Sequence, residues 1–251
     1  MAVTQPEAQA TQPGQQQIQE NIDFLRINPV SVVMPGPGIT NSYGYRTHEF
    51  DSISSPYLLV AGDRLTEGPG LHLSQTWPHK LETQSQTTVI NLAKDCANAE
   101  FICQNIIKWI NSDFPYPDAV LVQWPNPYML FSWPKHGAKS LFRTPDALYK
   151  LKIKYGEEYF FVPWIKSIVD LNQLCRYKNI PIVHLCFESP EAVDFGLGIL
   201  KAHDIDLNLD LKKPGLTWHF DSSGADNMHH SEWCHDQWTK RILTLLKCVL
   251  Q

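Results

Sequence analysis

The stretch YLLVAGDRLTEGPG, residues 57–70, passes from an apolar run directly into Gly62, Asp63 and Arg64. Arg64 stays protonated in a protein. Its planar fork of N–H donors suits a carboxylate or phosphate, but it cannot attack a carbonyl. Two later apolar runs also end in reactive residue types. TVINL at 88–92 leads into Ala93, Lys94, Asp95 and Cys96, and DAVLVQ at 118–123 leads into Trp124, Pro125 and Asn126. A denser cluster lies in SSGADNMHHSEWCHDQW, with Asp226, His229, His230, Cys234 and His235, and His219 just upstream. His230 and Cys234 are four apart and would share a helix face, as metal ligands can. Zinc sites show tighter paired spacing, so no metal is expected. GDRLTEGPG satisfies neither a dinucleotide fingerprint nor a phosphate loop with its lysine, so no cofactor is expected.

These residues can act together only if the elements between them bring them to one place. Tyr57–Ala61 is continuously apolar, the mark of a strand buried on both faces. Ser74–Glu82 reads as a short helix with Ser74 as its N-cap. Thr88–Leu92 is a second strand, and Ala97–Ile110 a helix with apolar residues at threes and fours. Asp118–Gln123 is a third strand. The proline-rich region from Trp124 to Glu158 reads as an excursion or lid on the active face, and LYKLKIKYGEEYF within it as a solvated helix or hairpin. Phe160–Tyr177 is a long helix, Ile180–Phe187 a strand, and Asp236–Leu250 an amphipathic helix. Strands alternating with helices predict a parallel sheet in an α/β sandwich. In such folds ligands sit at the carboxyl ends of the strands, where Asp63, Arg64, Cys96 and Asn126 fall.

Length fits one large domain. Residues 1–22 are rich in Gln, Thr, Ala and Pro and are expected to be a flexible tail, leaving 23–251 as the domain. An assembly partner would be needed to hold that tail. The net charge of −5, with signs mixed, gives no basic face for nucleic acid or an anionic membrane. The chain shows neither a bilayer-spanning run nor a secretory leader, so a cytoplasmic location is expected. The six cysteines are scattered through apolar surroundings and read mostly as buried free thiols.

With these blocks in order, the chain resembles the SGNH hydrolases, also called the GDSL lipase/esterase family, from about Asn41 onward. NSYGYRTHEF is similar to the family's lead-in, and AGDRLTEGPGL followed by TWPHKLE to its first block. VINLAKDCAN is similar to its second block, VQWPNP loosely to its third, and DNMHHSEWCH to its last. The resemblance implies a three-layer α/β/α sandwich with a flavodoxin-like parallel sheet. It also implies ester hydrolysis or acyl transfer on a small or carbohydrate-linked ester. The activity needs a serine nucleophile, a histidine base oriented by an aspartate, and an oxyanion hole.

Carried over, the resemblance assigns His229 as base, Asp226 as its orienter and Asn126 as an oxyanion donor. His235 matches a position commonly histidine in the family's last helix. Cys96 stands where the family keeps an oxyanion glycine, and Arg64 where it keeps the serine. Serine chemistry is therefore closed. One reading is a pseudoenzyme: a binding or structural module in which Arg64 pairs with Asp226 or holds an anionic ligand. A second is an active ester hydrolase or acyltransferase with Cys96 as nucleophile, His229 as base and Arg64 as clamp. Against it, Cys96 reads more readily as a small, inert packing residue at a strand end. A third, weaker reading uses Ser222, Ser223 or Thr66. Asp63 and Trp124 are candidate substrate contacts. Trp124, Tyr128, Phe131 and Trp133 read either as pocket lining or as a cap on the sheet.

Overall fold

The computed structural model describes residues 40–128, 131–132, 139–140, 145–186, 194–208 and 231–249. The tail expected over 1–22 and the strand expected in PVSVVMPGPG lie outside the described residues.

Strand β1 (Tyr57–Ala61) is buried along its whole length, as its continuous apolar run requires. Its side chains alternate between two cores. Tyr57, Leu59 and Ala61 enter one apolar cluster, and Leu58 and Val60 enter the other. It pairs in parallel with β2 (Thr88–Asn91) on one side and β3 (Ala119–Trp124) on the other. β4 (Ile182–Cys186) follows β3, and β5 (Leu207–Asn208) closes the far edge. The order β2-β1-β3-β4-β5 makes a five-stranded, wholly parallel, doubly wound sheet of flavodoxin-like order.

The first core lies beneath α3 (Ala99–Ile110) and α5 (Glu158–Tyr177), with Ile102, Ile106, Trp109, Phe160, Trp164, Ile168 and Leu171 buried in it. Asn98 caps α3 by accepting the Phe101 amide N–H. The second core lies beneath α2 (Trp77–Ser85) and α7 (Glu232–Val249), with Trp77, Leu81, Trp238, Ile242 and Leu246 against the sheet. The result is the three-layer sandwich the alternation of elements predicts. Each fully buried large side chain contributes about 2–3 kcal/mol of burial.

Several boundaries differ from expectation. The segment read as one helix from Ser74 is a 3-10 turn over Leu73–Gln75 followed by α2, which starts at Trp77. Ser74 is not the cap. Its N–H goes to the His72 ring, and Pro78 in the first turn starts the helix further on. The last helix begins at Glu232, a turn before Asp236, because Cys234 and His235 face inward. The proline-rich excursion contains helix α4 (Pro145–Tyr155) and a short antiparallel pair, Phe131–Ser132 with Lys139–Ser140. Helix α6 (Asp194–Ala202) and β5 have no counterpart among the expected elements. Among the described residues no helix is long and apolar enough to cross a membrane. The described cysteines are free thiols, and Cys103, Cys175, Cys186 and Cys234 are buried.

Candidate functional site

The sheet order places the loops after β2, β1 and β3 side by side at one edge, with the β1 loop in the middle. That loop opens at Gly62. A Cβ there would meet Thr66 Oγ1 at 2.3 Å and Gln123 Oε1 at 2.8 Å, so only glycine fits. Asp63 follows in extended conformation and caps the short helix α1 (Arg64–Glu67), with Oδ1 accepting the Leu65 N–H at 2.9 Å. Gly68 ends α1 at a φ of +68° and returns its N–H to the Arg64 carbonyl.

Arg64 is thus the first residue of the tight turn that follows β1, and it is exposed. Asp63 is fully buried under it. Thr66 is also fully buried, and its hydroxyl donates to Gln123 Oε1 at 3.0 Å. The same oxygen accepts the Asp63 N–H at 3.1 Å, while Gln123 Nε2 donates to its neighbour's carbonyl at Trp124 at 2.8 Å. A single glutamine at the end of β3 therefore fixes the turn on that side.

On the other side Cys96 follows β2 with a φ of +62°, in the left-handed region that favours glycine. It is half-buried, and its thiol donates weakly to Asp95 Oδ1 at 3.5 Å. Burial and the Asp95 carboxylate push the thiol up to about 12, with the Arg64 charge pulling the other way. The left-handed backbone at Cys96 accords with a position where glycine would be at ease.

Asn126 follows β3 half-exposed. Its Oδ1 accepts the Tyr128 N–H at 2.9 Å. Trp124, just before it, is fully buried, with its ring N–H donating to His184 Nδ1 at 3.0 Å. His184 is 3% exposed and has Nε2 3.3 Å from Asn172 Oδ1, so its neutral ring is protonated at Nε2. Burial and the nearby Arg176 lower His184 to about 4. Tyr128 packs its ring edge-on against Phe160 and Phe161 of α5.

Asp226, His229, Ser222, Ser223, His219, His230 and Trp133, and the side chain of Phe131, lie outside the described residues. His235 is described and is 1% exposed. Its Nδ1 accepts the Trp77 N–H at 3.0 Å, so it caps α2 from the last helix. Lys80 reinforces that junction by bonding Glu232 at 2.8 Å and Asp236. Among the described residues no group of three or more His, Cys, Asp or Glu could hold a metal ion.

Three residues that hold this edge together were not among the sequence candidates: Gln123, Arg46 and Glu67. The signals were a lone polar residue in the apolar run AVLVQW, and charged residues within the aromatic-rich NSYGYRTHEF and the glycine-rich GDRLTEGPG.

No family model and no curated protein matches the chain. Solved structures do resemble it. A structure titled "Crystal Structure of TesA" aligns at 12% identity over 77% of this chain and 99% of that one, with a TM-score of 0.52. A member of the lipolytic protein G-D-S-L family from Veillonella parvula aligns at 12% identity over 77% and 99%, with a TM-score of 0.49. AlinE4, an SGNH-hydrolase family esterase, aligns at 15% identity over 80% and 100%, with a TM-score of 0.41. At such identities a likeness speaks for architecture alone, and this chain shares the α/β architecture of TesA across nearly all of that protein's length.

Proposed function

We propose that this chain is an SGNH-hydrolase-like protein that has lost serine esterase activity and acts as a binding or structural module. The observation that carries the reading is the position of Arg64. It heads the turn after β1, exposed, with the loops after β2 and β3 on either side, where the resemblance asks for a serine. The nearby hydroxyl of Thr66 is buried and committed to Gln123. The fork of Arg64 suits a small anionic ligand such as a carboxylate or phosphate. The cysteine at the glycine position supports the same reading.

The test compares the native chain with Arg64→Ser on a short-chain nitrophenyl ester. Turnover by the serine variant alone means that Arg64 silences an otherwise intact site with His229 and Asp226 as its machinery. Turnover by neither variant favours the module. Turnover by the native chain sinks this reading. It would support the second one, an ester hydrolase or acyltransferase using Cys96 with His229 and Asp226.

A further inference from the structure

Arg46 lies in the lead-in before β1 and is 8% exposed. Among the described residues its guanidinium donates to main-chain carbonyls of the β1 loop. Nη1 reaches Glu67 O at 2.9 Å and Gly68 O at 2.6 Å, and Nη2 reaches Leu71 O at 2.7 Å. The carbonyls of Glu67 and Gly68 sit at the C-terminal end of α1, where a helix has no internal donors left and carries partial negative charge. A buried cation there satisfies them together.

Glu67 continues the chain of contacts. It is 7% exposed, and its carboxylate leaves the β1 loop for the β2 loop. Oε1 takes the Lys94 ammonium at 3.0 Å, and Oε2 takes the Asp95 N–H at 2.5 Å. Lys94 Nζ in turn approaches Gly44 O at 3.5 Å, two residues before Arg46. The contacts form a closed ring through the lead-in, the β1 loop and the β2 loop. None of these bonds ties a helical layer to the sheet, and every partner belongs to the three segments that border Arg64 and Cys96.

We propose that Arg46 and Glu67 are positioning residues for the strand-end site. Arg46 fixes the back of the turn that presents residue 64, and Glu67 carries that position across to the amide of Asp95, the residue before Cys96. The inference deepens the reading of Arg64 as occupant of the nucleophile position and rests on it for its functional meaning. A planar, multidentate donor is needed to hold three carbonyls at once, so lysine serves only in part. Burial lowers the Arg46 pKa, and the facing Glu67 charge opposes that shift.

The test uses the full chain in four forms: native, Arg46→Gln, Arg46→Lys and Glu67→Gln. Amide hydrogen exchange is the first readout, since it needs no activity. In Arg46→Gln, amides of 65–71 and 94–97 are expected to exchange at least about tenfold faster, with those of α3 and α5 unchanged. Arg46→Lys is expected to recover part of that protection. Glu67→Gln is expected to loosen 94–97 alone. Uniform acceleration throughout the chain, or no local change, overturns the proposal. If Arg46→Gln fails to fold, Arg46→Lys and Glu67→Gln carry the same comparison. The second readout adds each change to Arg64→Ser. A positioning role predicts a loss in kcat for nitrophenyl acetate of up to about 100-fold with KM little changed. Should Arg64→Ser itself be inactive, the silenced-hydrolase reading fails, while the exchange result still decides the role of Arg46 and Glu67.

Discussion

The ring N–H of Trp124 donates to Nδ1 of His184 at 3.0 Å, which fixes the tautomer of an imidazole that burial and Arg176 keep neutral. The folded pKa, about 4, lies below the ordinary 6.5. The unfolded chain therefore binds a proton here before the folded one does. The stability from this group is fully present above pH 6.5 and is lost as pH falls from there towards 4. The loss amounts to about 3 kcal/mol. Denaturant unfolding at pH 7.5 and 4.5 checks it. His184→Gln is expected to shrink the pH-dependent part, and an undiminished loss in that variant sinks the assignment.

Cys96 sits where a side chain is strained and where its thiol is held protonated. Cys96→Gly is expected to be neutral or to stabilise the fold by up to about 1 kcal/mol, visible as a rise in Tm. At pH 7.5 a disulfide-exchange reagent is expected to label exposed Cys248 well before Cys96. Rapid labelling at Cys96 would instead support a nucleophilic thiol.

Gln123 serves two donors with one oxygen in a fully buried place. Gln123→Leu fills the space but strands the Asp63 amide and the Thr66 hydroxyl. A cost of about 3 kcal/mol is expected, measured by chemical denaturation. A change below about 0.5 kcal/mol would show that the turn is held some other way.

His235 accepts the first N–H of α2 from across the second core. His235→Ala is expected to cost about 2 kcal/mol through the lost cap and packing. It should also raise hydrogen exchange in the first turn of α2. Unchanged exchange there would sink the capping role.

Much of the scaffold is legible in the sequence because local pattern and tertiary position agree. Tyr57–Ala61 is apolar at every residue and is buried on both faces. The helix read over Ala97–Ile110 is present as α3, starting two residues later because Asn98 is its cap. Where the two disagree the reading slips. Ser74 is a good local cap, yet Trp77 is buried and takes its acceptor from His235, distant in sequence, so the helix begins at Trp77. In α6, Gly196 and Gly198 blur the helical period, and β5 is too short to leave a pattern. The site shows the same division. Arg64, Cys96 and Asn126 are readable because each follows an apolar run. Arg46, Glu67 and Gln123 are not, since their roles exist only once β1, β2 and β3 lie side by side. Trp124 and Asp63 stand at the strand ends that drew attention to them. Their immediate partners are a histidine on β4 and a backbone amide of α1.

Helix α7 has a consequence for how the molecule is made. Leu58, Val60 and Leu121 form one face of the sheet, and the cover for that face includes Trp238, Ile242 and Leu246. On the ribosome all five strands emerge before that helix does. The nascent sheet therefore spends part of its synthesis with one greasy side covered only by α2, a surface that invites association with other chains. The arrival of α7 both covers the rest of that face and delivers His235 to the open end of α2. Closure of the second layer is then a late event, and a translation pause ahead of α7 would prolong the stage at which the nascent chain most needs a chaperone.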